Sequence, residues 1–468
     1  MIIDTVRRDH LSCYGTNKSS QYLAQKIKTP NLDKFAEKGT VFEQAYLGSF
    51  PCIPARRDLW TGRYEFPWRG WGALEDNDLD YVDYLRSCGM MNMLVSDHYH
   101  LLERDAGNYH FGFNGWDMIR GQEYDPYVTA PLEDGTRESL DHLTSGAWYL
   151  HQKNKRGRKD KEDEMYAPQV FKRAASWLEE NATKEIRRDK PFFLMVESFD
   201  PHEPWDPPYY RVDAFNPDYK GKNPHSPIYG SSDRFSEEEL CQMRALYAGE
   251  LTMVDHWFGY FMDKMDQMGL WEDTLMIVTT DHGFFLGEHS LVGKPDLVPL
   301  YSEMSHIPFI AYHPQGKEAN RSQELVQLVD VFPTITDALG FELPKQVNDT
   351  KYIKGIGHRQ AWEGISQTSL QVHGKSLLPV LKGEKESIRS AVVTGKFGDI
   401  VRISDGKWTL YLHQKKMLQF IGMARGNQDE HLRVGEGIII RKMNVILCPI
   451  LLQDIKMNYI KWKRTQMS

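Results

Sequence analysis

Short apolar runs alternating with segments of helical period limit what this chain of 468 residues can fold into. Met91 to Val95, Phe192 to Val196, Leu275 to Thr279 and Ile307 to Ala311 each have the length of one buried strand and each lead into a polar loop. Met1-Ile2-Ile3-Asp4 reads as the end of another such strand. Between the runs, Leu32-Phe35-Ala36, Val82-Leu85 ahead of Gly89, and Val170-Ala174-Trp177-Leu178 repeat every three to four residues, as helices with one buried face do. Leu240 to Met268 keeps that spacing through Met243, Leu246, Tyr247, Val254, Phe258 and Met262, which predicts a long core helix. Strands separated by helices build a mainly parallel sheet covered on both faces. The expected class is therefore α/β, with a large mainly parallel sheet sandwiched by helices. Ligands of such sheets bind beyond the carboxyl ends of the strands. Asp4, Asp97, Asp200 and Asp281 each follow a strand-like run at once or within a few residues.

After about residue 385 the texture changes. Ala391-Val392-Val393-Thr394, Val401-Arg402-Ile403 and, beyond the Asp405-Gly406 turn, Trp408 to Leu412 are strands of a hairpin. They predict a smaller antiparallel C-terminal sheet, and with it a division into a larger α/β unit over residues 1–385 and a subdomain over residues 386–468. Arg441 to Ser468 carries Arg441, Lys442, Lys456, Lys461, Lys463 and Arg464 against Asp454, with no packing period and no assigned role. Lys153 to Lys159 reads as a solvated loop.

A formal charge of -8 argues against a general nucleic-acid binder, so an anionic substrate needs local positive charge or a metal. No apolar run approaches the roughly 18–20 residues that span a bilayer, and no membrane partner is expected. The five cysteines show neither CxxC spacing nor a Cys/His cluster, which excludes a disulfide scaffold. Met1 to Asp4 leaves no room for a signal peptide, so the chain as given is expected in the cytoplasm, and in the periplasm or secreted if the start lies further upstream.

Cys52 follows Pro51 and opens Cys52-Ile53-Pro54-Ala55-Arg56, which continues through Arg57-Asp58-Leu59-Trp60-Thr61-Gly62. The prolines hold an extended entry, and a helix starting from Ala55 would place its N-terminus, which favours anions, beside Cys52. The string resembles the signature of the sulfatase family, Cys-x-Pro-x-Arg followed by Thr-Gly, in which the cysteine is converted to formylglycine. Thr29 to Asp33, Asp330 to Ile335 and Gly374 to Pro379 resemble further family segments, so the likeness covers roughly residues 1–412.

Asp281-His282-Gly283 ends a strand-like run and offers a hard carboxylate and an imidazole, a donor set suited to a divalent cation, to which Asp4 can add another oxygen. The resemblance implies metal ligation by Asp4, the modified Cys52, Asp281 and His282. The ion it implies is Ca2+, with Mn2+ or another divalent cation as alternatives because His282 stands where many relatives have asparagine. Asp4-Thr5 replaces two adjacent aspartates of the family form, so one carboxylate is absent. Asp200-Pro201-His202-Glu203-Pro204 holds His202 on a rigid loop, and an imidazole suits a general acid. In the resemblance His202 protonates the leaving group, Lys294 and Arg56 neutralise charge on the sulfate oxygens, and His98 and His100 stand for a Lys-x-His pair. His100 is there the base that breaks down the covalent intermediate.

The resemblance thus implies a sulfuric ester hydrolase acting on a sulfated small molecule or saccharide, matured by a formylglycine-generating enzyme. Two other readings compete: a phosphonate monoester or phosphodiester hydrolase of the same superfamily, and a non-catalytic binding protein on the same fold. Loops such as Gly121 to Ser145 and Pro207 to Ser232 are expected to carry specificity.

Overall fold

The structure, a computed structural model, describes residues 1–15, 21–75, 78–128, 141–155, 161–343 and 372–412 and the backbone of 413 and 416–422. Its centre is an eight-stranded sheet. Across the sheet the strands run Asn320–Gln327, Thr40–Tyr46, Phe309–Tyr312, Met276–Thr279, Ile2–Ile3, Phe192–Ser198, Met91–Ser96 and Gly115–Met118. All are parallel except Phe309–Tyr312, which opposes both neighbours. That strand returns through a small three-stranded sheet and the short helix Ser302–Ser305, without a long crossover helix.

Neighbouring residues along a strand face opposite sides, and the core divides accordingly. Ile3, Val41, Val95, Val196, Val278 and Ile310 pack with the helices Pro30–Lys38, Tyr166–Asn181 and Glu237–Gln267. Ile2, Phe42, Leu94, Met195, Ile277 and Phe309 join a second cluster with the helices Cys52–Thr61, Tyr81–Ser87 and Val331–Ala338. Burying one such side chain contributes roughly 1.5–3 kcal/mol, so the two faces clamp the sheet. The sandwich expected from the alternation of runs is the observed architecture.

The smaller sheet is also present: Val392–Lys396, Ile400–Ser404, Trp408–His413 and Lys416–Gly422 are antiparallel neighbours. It takes a fifth, parallel strand from Ser49–Phe50, so the chain just before Cys52 is clamped between two sheets. Thr40–Tyr46, Gly115–Met118 and Asn320–Gln327 were not among the expected strands. Asn320–Gln327 escapes an apolar search because it is an edge strand whose first half faces solvent.

The reading of Lys153 to Lys159 as a solvated loop needs correction. Lys153 and Asn154 finish the helix Gly146–Asn154, and Lys155 is buried against Asp206, where its ammonium has a charge partner. Residues 156–160 and the basic run from Arg441 lie outside the described residues. No helix among the described residues is long and apolar enough to cross a membrane.

Candidate active site

Five polypeptide segments end at one edge of the parallel sheet and meet there. Asp4 follows Ile2–Ile3, Cys52 follows Thr40–Tyr46 and the short strand Ser49–Phe50, His98 follows Met91–Ser96, His202 follows Phe192–Ser198, and Asp281-His282 follows Met276–Thr279. Carboxyl ends of parallel strands gather there because the crossovers all return on the other side.

Cys52 is the first residue of the helix Cys52–Thr61, three residues earlier than the expected start. Asp58 on this helix accepts from Ser49 N and Ser49 Oγ, each at 2.6 Å, and from Glu65 N at 2.9 Å, which fixes the turn ahead of Cys52. Gly48 allows that turn, since a Cβ there would sit 2.0 Å from Asp58 Oδ2. Cys52 Sγ lies 3.0 Å from His282 Nε2 and 3.8 Å from Lys294 Nζ. Burial, with Asp4 and Asp281 adding to it against Lys294, pushes the thiol well above its ordinary range, so unmodified Cys52 is no thiolate at neutral pH.

Arg56 is fully buried and holds the site together through three carboxylates. Its Nη2 donates to Asp4 Oδ2 at 2.8 Å, its Nη1 to Asp281 Oδ2 at 2.7 Å, and its Nε to Glu197 Oε1 at 2.8 Å. Burial would raise Asp4, but Arg56 and then His98 outweigh it and hold Asp4 well below the usual carboxylate range. Glu197 goes the other way, raised by burial in spite of Arg56. Thr5 adopts φ 58, uncommon for a β-branched residue; its hydroxyl donates to Asp4 Oδ1 at 2.5 Å and its N–H to Asp281 Oδ1 at 3.1 Å.

His282 Nδ1 lies 2.9 Å from Gly283 O, the only acceptor it needs if it carries the proton, which leaves the Nε2 lone pair facing Cys52 and Asp281. Burial lowers this ring's pKa and keeps it neutral. Gly283 lets the loop lie against Glu303, where a Cβ would come 1.8 Å from the carbonyl oxygen. One donor atom from each of Asp4, Cys52, Asp281 and His282 lies within 4.8 Å of the others, all buried. Two hard carboxylates and a neutral imidazole with a free lone pair fit a divalent cation.

Lys294 follows the strand Leu291–Gly293 of the small sheet. Gly293, at φ 84, packs under the Tyr229 ring, which leaves 2.1 Å for a Cβ. Lys294 Nζ donates to His202 Nε2, while His202 Nδ1 donates to Glu203 O at 2.5 Å. Burial and then Lys294 drive the His202 pKa well below its ordinary value, so the ring is neutral before an anion arrives. Glu203 is pushed up to about 7 by burial, and its Oε1 accepts from Tyr229 OH.

Of the two histidines on the loop after Met91–Ser96, His98 is buried with Nε2 3.2 Å from Asp4 Oδ2, and burial and Arg56 keep it neutral. It therefore brings no positive charge in place of a lysine. His100 lies between Glu103, at 2.7 Å, and Glu123, at 3.2 Å. Those carboxylates outweigh its burial and push its pKa up to about 9. Held as an imidazolium, it does not suit the base role expected for it, because its proton is already in place at neutral pH.

Glu197, Glu123, Glu203 and Tyr229 were not among the expected residues. Glu197 had a signal, since an acid inside the buried run Met195-Val196-Glu197-Ser198 demands a cation.

A family model described as Sulfatase matches residues 1–341. A multifunctional alkaline phosphatase superfamily protein of Trinickia caryophylli, PehA, is 29% identical over 376 residues, 68% of this chain and 69% of that protein. An arylsulfatase of Clostridium perfringens is 24% identical over 400 residues, 74% of this chain and 75% of its own length. In fold, the chain is similar to the phosphonate monoester hydrolase of Agrobacterium radiobacter, with a TM-score of 0.65 and 20% identity over 90% of this chain and 88% of that one.

Proposed function

The chain belongs to the sulfatase family, hydrolases of the alkaline phosphatase superfamily, and from that premise we propose that it cleaves a sulfate ester of a sugar or aryl alcohol at Cys52. The observation that carries the reading is the placing of Lys294 Nζ between Cys52 Sγ and His202 Nε2, one cation shared by the attacking position and the proton carrier. Oxidised to formylglycine by a maturation enzyme, residue 52 would supply a hydroxyl nucleophile, and a divalent cation, calcium or manganese, held by Asp4, Asp281 and His282 would supply the charge that activates it.

The remaining work falls to the chain itself. Arg56 keeps Asp4 ionised and, by a hydrogen bond to each carboxylate, holds Asp4 and Asp281 beside residue 52. Lys294 pairs with an anionic oxygen of the substrate. That oxygen's charge offsets the field of Lys294 on His202, so Nε2 can take up a proton from solvent as the substrate binds; the imidazolium gives it to the alcohol oxygen as the S–O bond breaks and returns to the neutral ring. His98, neutral and buried, positions Asp4, and His100 holds the outer carboxylates in place.

A second reading, phosphonate monoester or phosphodiester hydrolysis, is favoured by the Asp4-Thr5 pair, which leaves the site one carboxylate poorer, and by the Asp281-His282 pair, which puts an imidazole in place of an amide. Kinetics on matched aryl sulfates, phenyl phosphonates and diesters separate the two. The sulfate reading predicts the highest kcat/KM on the sulfates by at least about tenfold, and a phosphonate preference of that size would replace it. A non-catalytic protein would show an unmodified thiol at the Cys52 peptide by mass spectrometry after expression with a maturation enzyme.

A further inference from the structure

We propose that Gln122 is a positioning residue: by holding Asp97 and Asp200 at a fixed separation with one amide group, it sets His202 for delivery of its proton to the leaving group. The inference rests on the reading of His202 as the proton carrier and adds the residue that aims it. Gln122 lies on the loop after the edge strand Gly115–Met118, and its Nε2 donates to Asp97 Oδ2 at 3.1 Å and to Asp200 Oδ1 at 2.8 Å. Those two acids follow Met91–Ser96 and Phe192–Ser198, the next two strands inward. One fully buried side chain therefore spans the ends of three neighbouring parallel strands.

The two acids fix the start of the His202 loop. Asp97 Oδ1 accepts from Phe199 N at 2.7 Å, and Phe199 O in turn accepts from His202 N at 2.9 Å. The Phe199 ring stacks on His202 at 4.1 Å between ring centres and meets His98 edge to face at 5.0 Å. Asp200 stands two residues before His202, and its own carbonyl accepts from Ser198 Oγ at 3.0 Å. Pro201 and Pro204 on either side of His202 have no N–H, so the loop has few hydrogen bonds of its own and depends on anchors outside it.

The residue type follows from the task. Both acceptors are carboxylate oxygens, so the amide presents its NH2 end, whose two hydrogens serve one acid each. Its Oε1 is left buried without a hydrogen-bond partner, at a cost of about 1–3 kcal/mol. Asparagine is one methylene too short to span both acids, and glutamate would add a third buried carboxylate. The backbone that carries the clamp is itself fixed. Gly121 N donates to Asp125 Oδ2 at 2.6 Å, and Gly121 O accepts from Tyr166 OH and Asn154 Nδ2, each at 3.0 Å. Gly121 holds φ 126, and a Cβ there would lie 2.5 Å from the Tyr166 hydroxyl. Asn154 and Tyr166 belong to the helices Gly146–Asn154 and Tyr166–Asn181, so the clamp is referred to the body of the fold.

Dependence on the leaving group reads this role. Metal-loaded, matured enzyme is assayed on phenyl sulfate, whose poor leaving group draws on a proton, and on p-nitrophenyl sulfate, whose phenolate departs unaided. Gln122→Met keeps the length and loses both donors. Its kcat/KM on phenyl sulfate should fall at least about tenfold further than that on p-nitrophenyl sulfate. His202→Gln should show the same asymmetry, and adding Gln122→Met to it should bring little further loss. Equal falls on the two substrates in Gln122→Met, beside an asymmetric His202→Gln, overturn the proposal and leave His202 as the acid. Equal falls in both variants remove the acid itself and the proposal with it. If Gln122→Met does not fold, Gln122→Asn decides by the same comparison. A wild type that favours phosphonates fails the sulfate reading by itself, and the same two leaving groups on phosphonates still test Gln122.

Discussion

The backbone N–H of Thr5 donates to Oδ1 of Asp281 at 3.1 Å, joining two strand ends that lie 276 residues apart in the sequence. The contact exists because Thr5 holds φ 58, which turns its N–H toward Asp281 while its hydroxyl serves Asp4. A β-branched residue in that conformation stores roughly 1–3 kcal/mol.

Thr5→Gly releases the strain and loses the hydroxyl. Glycine adds unfolded-state entropy of roughly 0.5–1 kcal/mol, so the two backbone effects partly cancel and the melting temperature should stay within a few degrees. Without the hydroxyl Asp4 keeps Arg56 on Oδ2 but loses the donor that fixes Oδ1, and kcat/KM should drop about tenfold. Unchanged kinetics would refute an orienting role for Thr5.

Arg56→Ala should be the most destabilising change at the site. It leaves Asp4, Asp281 and Glu197 buried without their shared cation, and removal of one partner from such a pair costs about 3–5 kcal/mol. Arg56→Lys restores a charge but not the fork, so it should recover only part of the loss. Urea unfolding of both variants checks this, and a cost below about 1 kcal/mol for the alanine variant would contradict it.

Lys294→Ala should leave folding nearly intact, since the side chain is partly exposed, and lower kcat/KM by about 10²–10³. It also removes the second-largest cause of the depressed His202 pKa, after burial. The ring should therefore titrate at higher pH in the variant, as followed by NMR of the His202 resonances; a lower or unmoved pKa would argue against direct coupling of the pair.

Glu250 is buried on the long helix, and burial, with Asp200 and Asp206 nearby, raises its pKa well above 4.5; burial likewise pushes Asp200 up to about 6. An acid raised in the folded state contributes stability that is complete below its unfolded pKa and lost as pH climbs through the folded one. The loss from Asp200 falls between about pH 4 and 6, and that from Glu250 starts near pH 4.5 and extends upward. Glu250→Gln keeps an acceptor for Asp206 N, now 2.7 Å from Oε1, without the charge. Its melting temperature should match wild type near pH 4 and exceed it increasingly up to pH 8. An advantage that shrinks with pH would reverse the sign assigned to Glu250.

Contact between distant segments decided which parts of the site were legible beforehand. Cys52 to Gly62, Asp281-His282-Gly283 and the loop around His202 are contiguous strings whose residue types declare their chemistry, and the alternation of runs foretold the sheet on whose edge they sit. Glu197 lies 141 residues from Arg56, and Tyr229 reaches Glu203 only because Gly293 admits its ring, so no local pattern marks them as one site.

The histidines draw the line most clearly. Their presence on loops after strands was written in the sequence, and an imidazole near neutrality was the natural assumption for each. The tertiary structure then separated them: burial and a neighbouring cation keep His98 and His202 neutral, whereas Glu103 and Glu123 make His100 a cation. The sequence determines which side chains reach the edge of the sheet, because that follows from strand period and crossover. Their charge states belong to the fold alone, since a proton's free energy depends on the dielectric and the charges a few ångströms away.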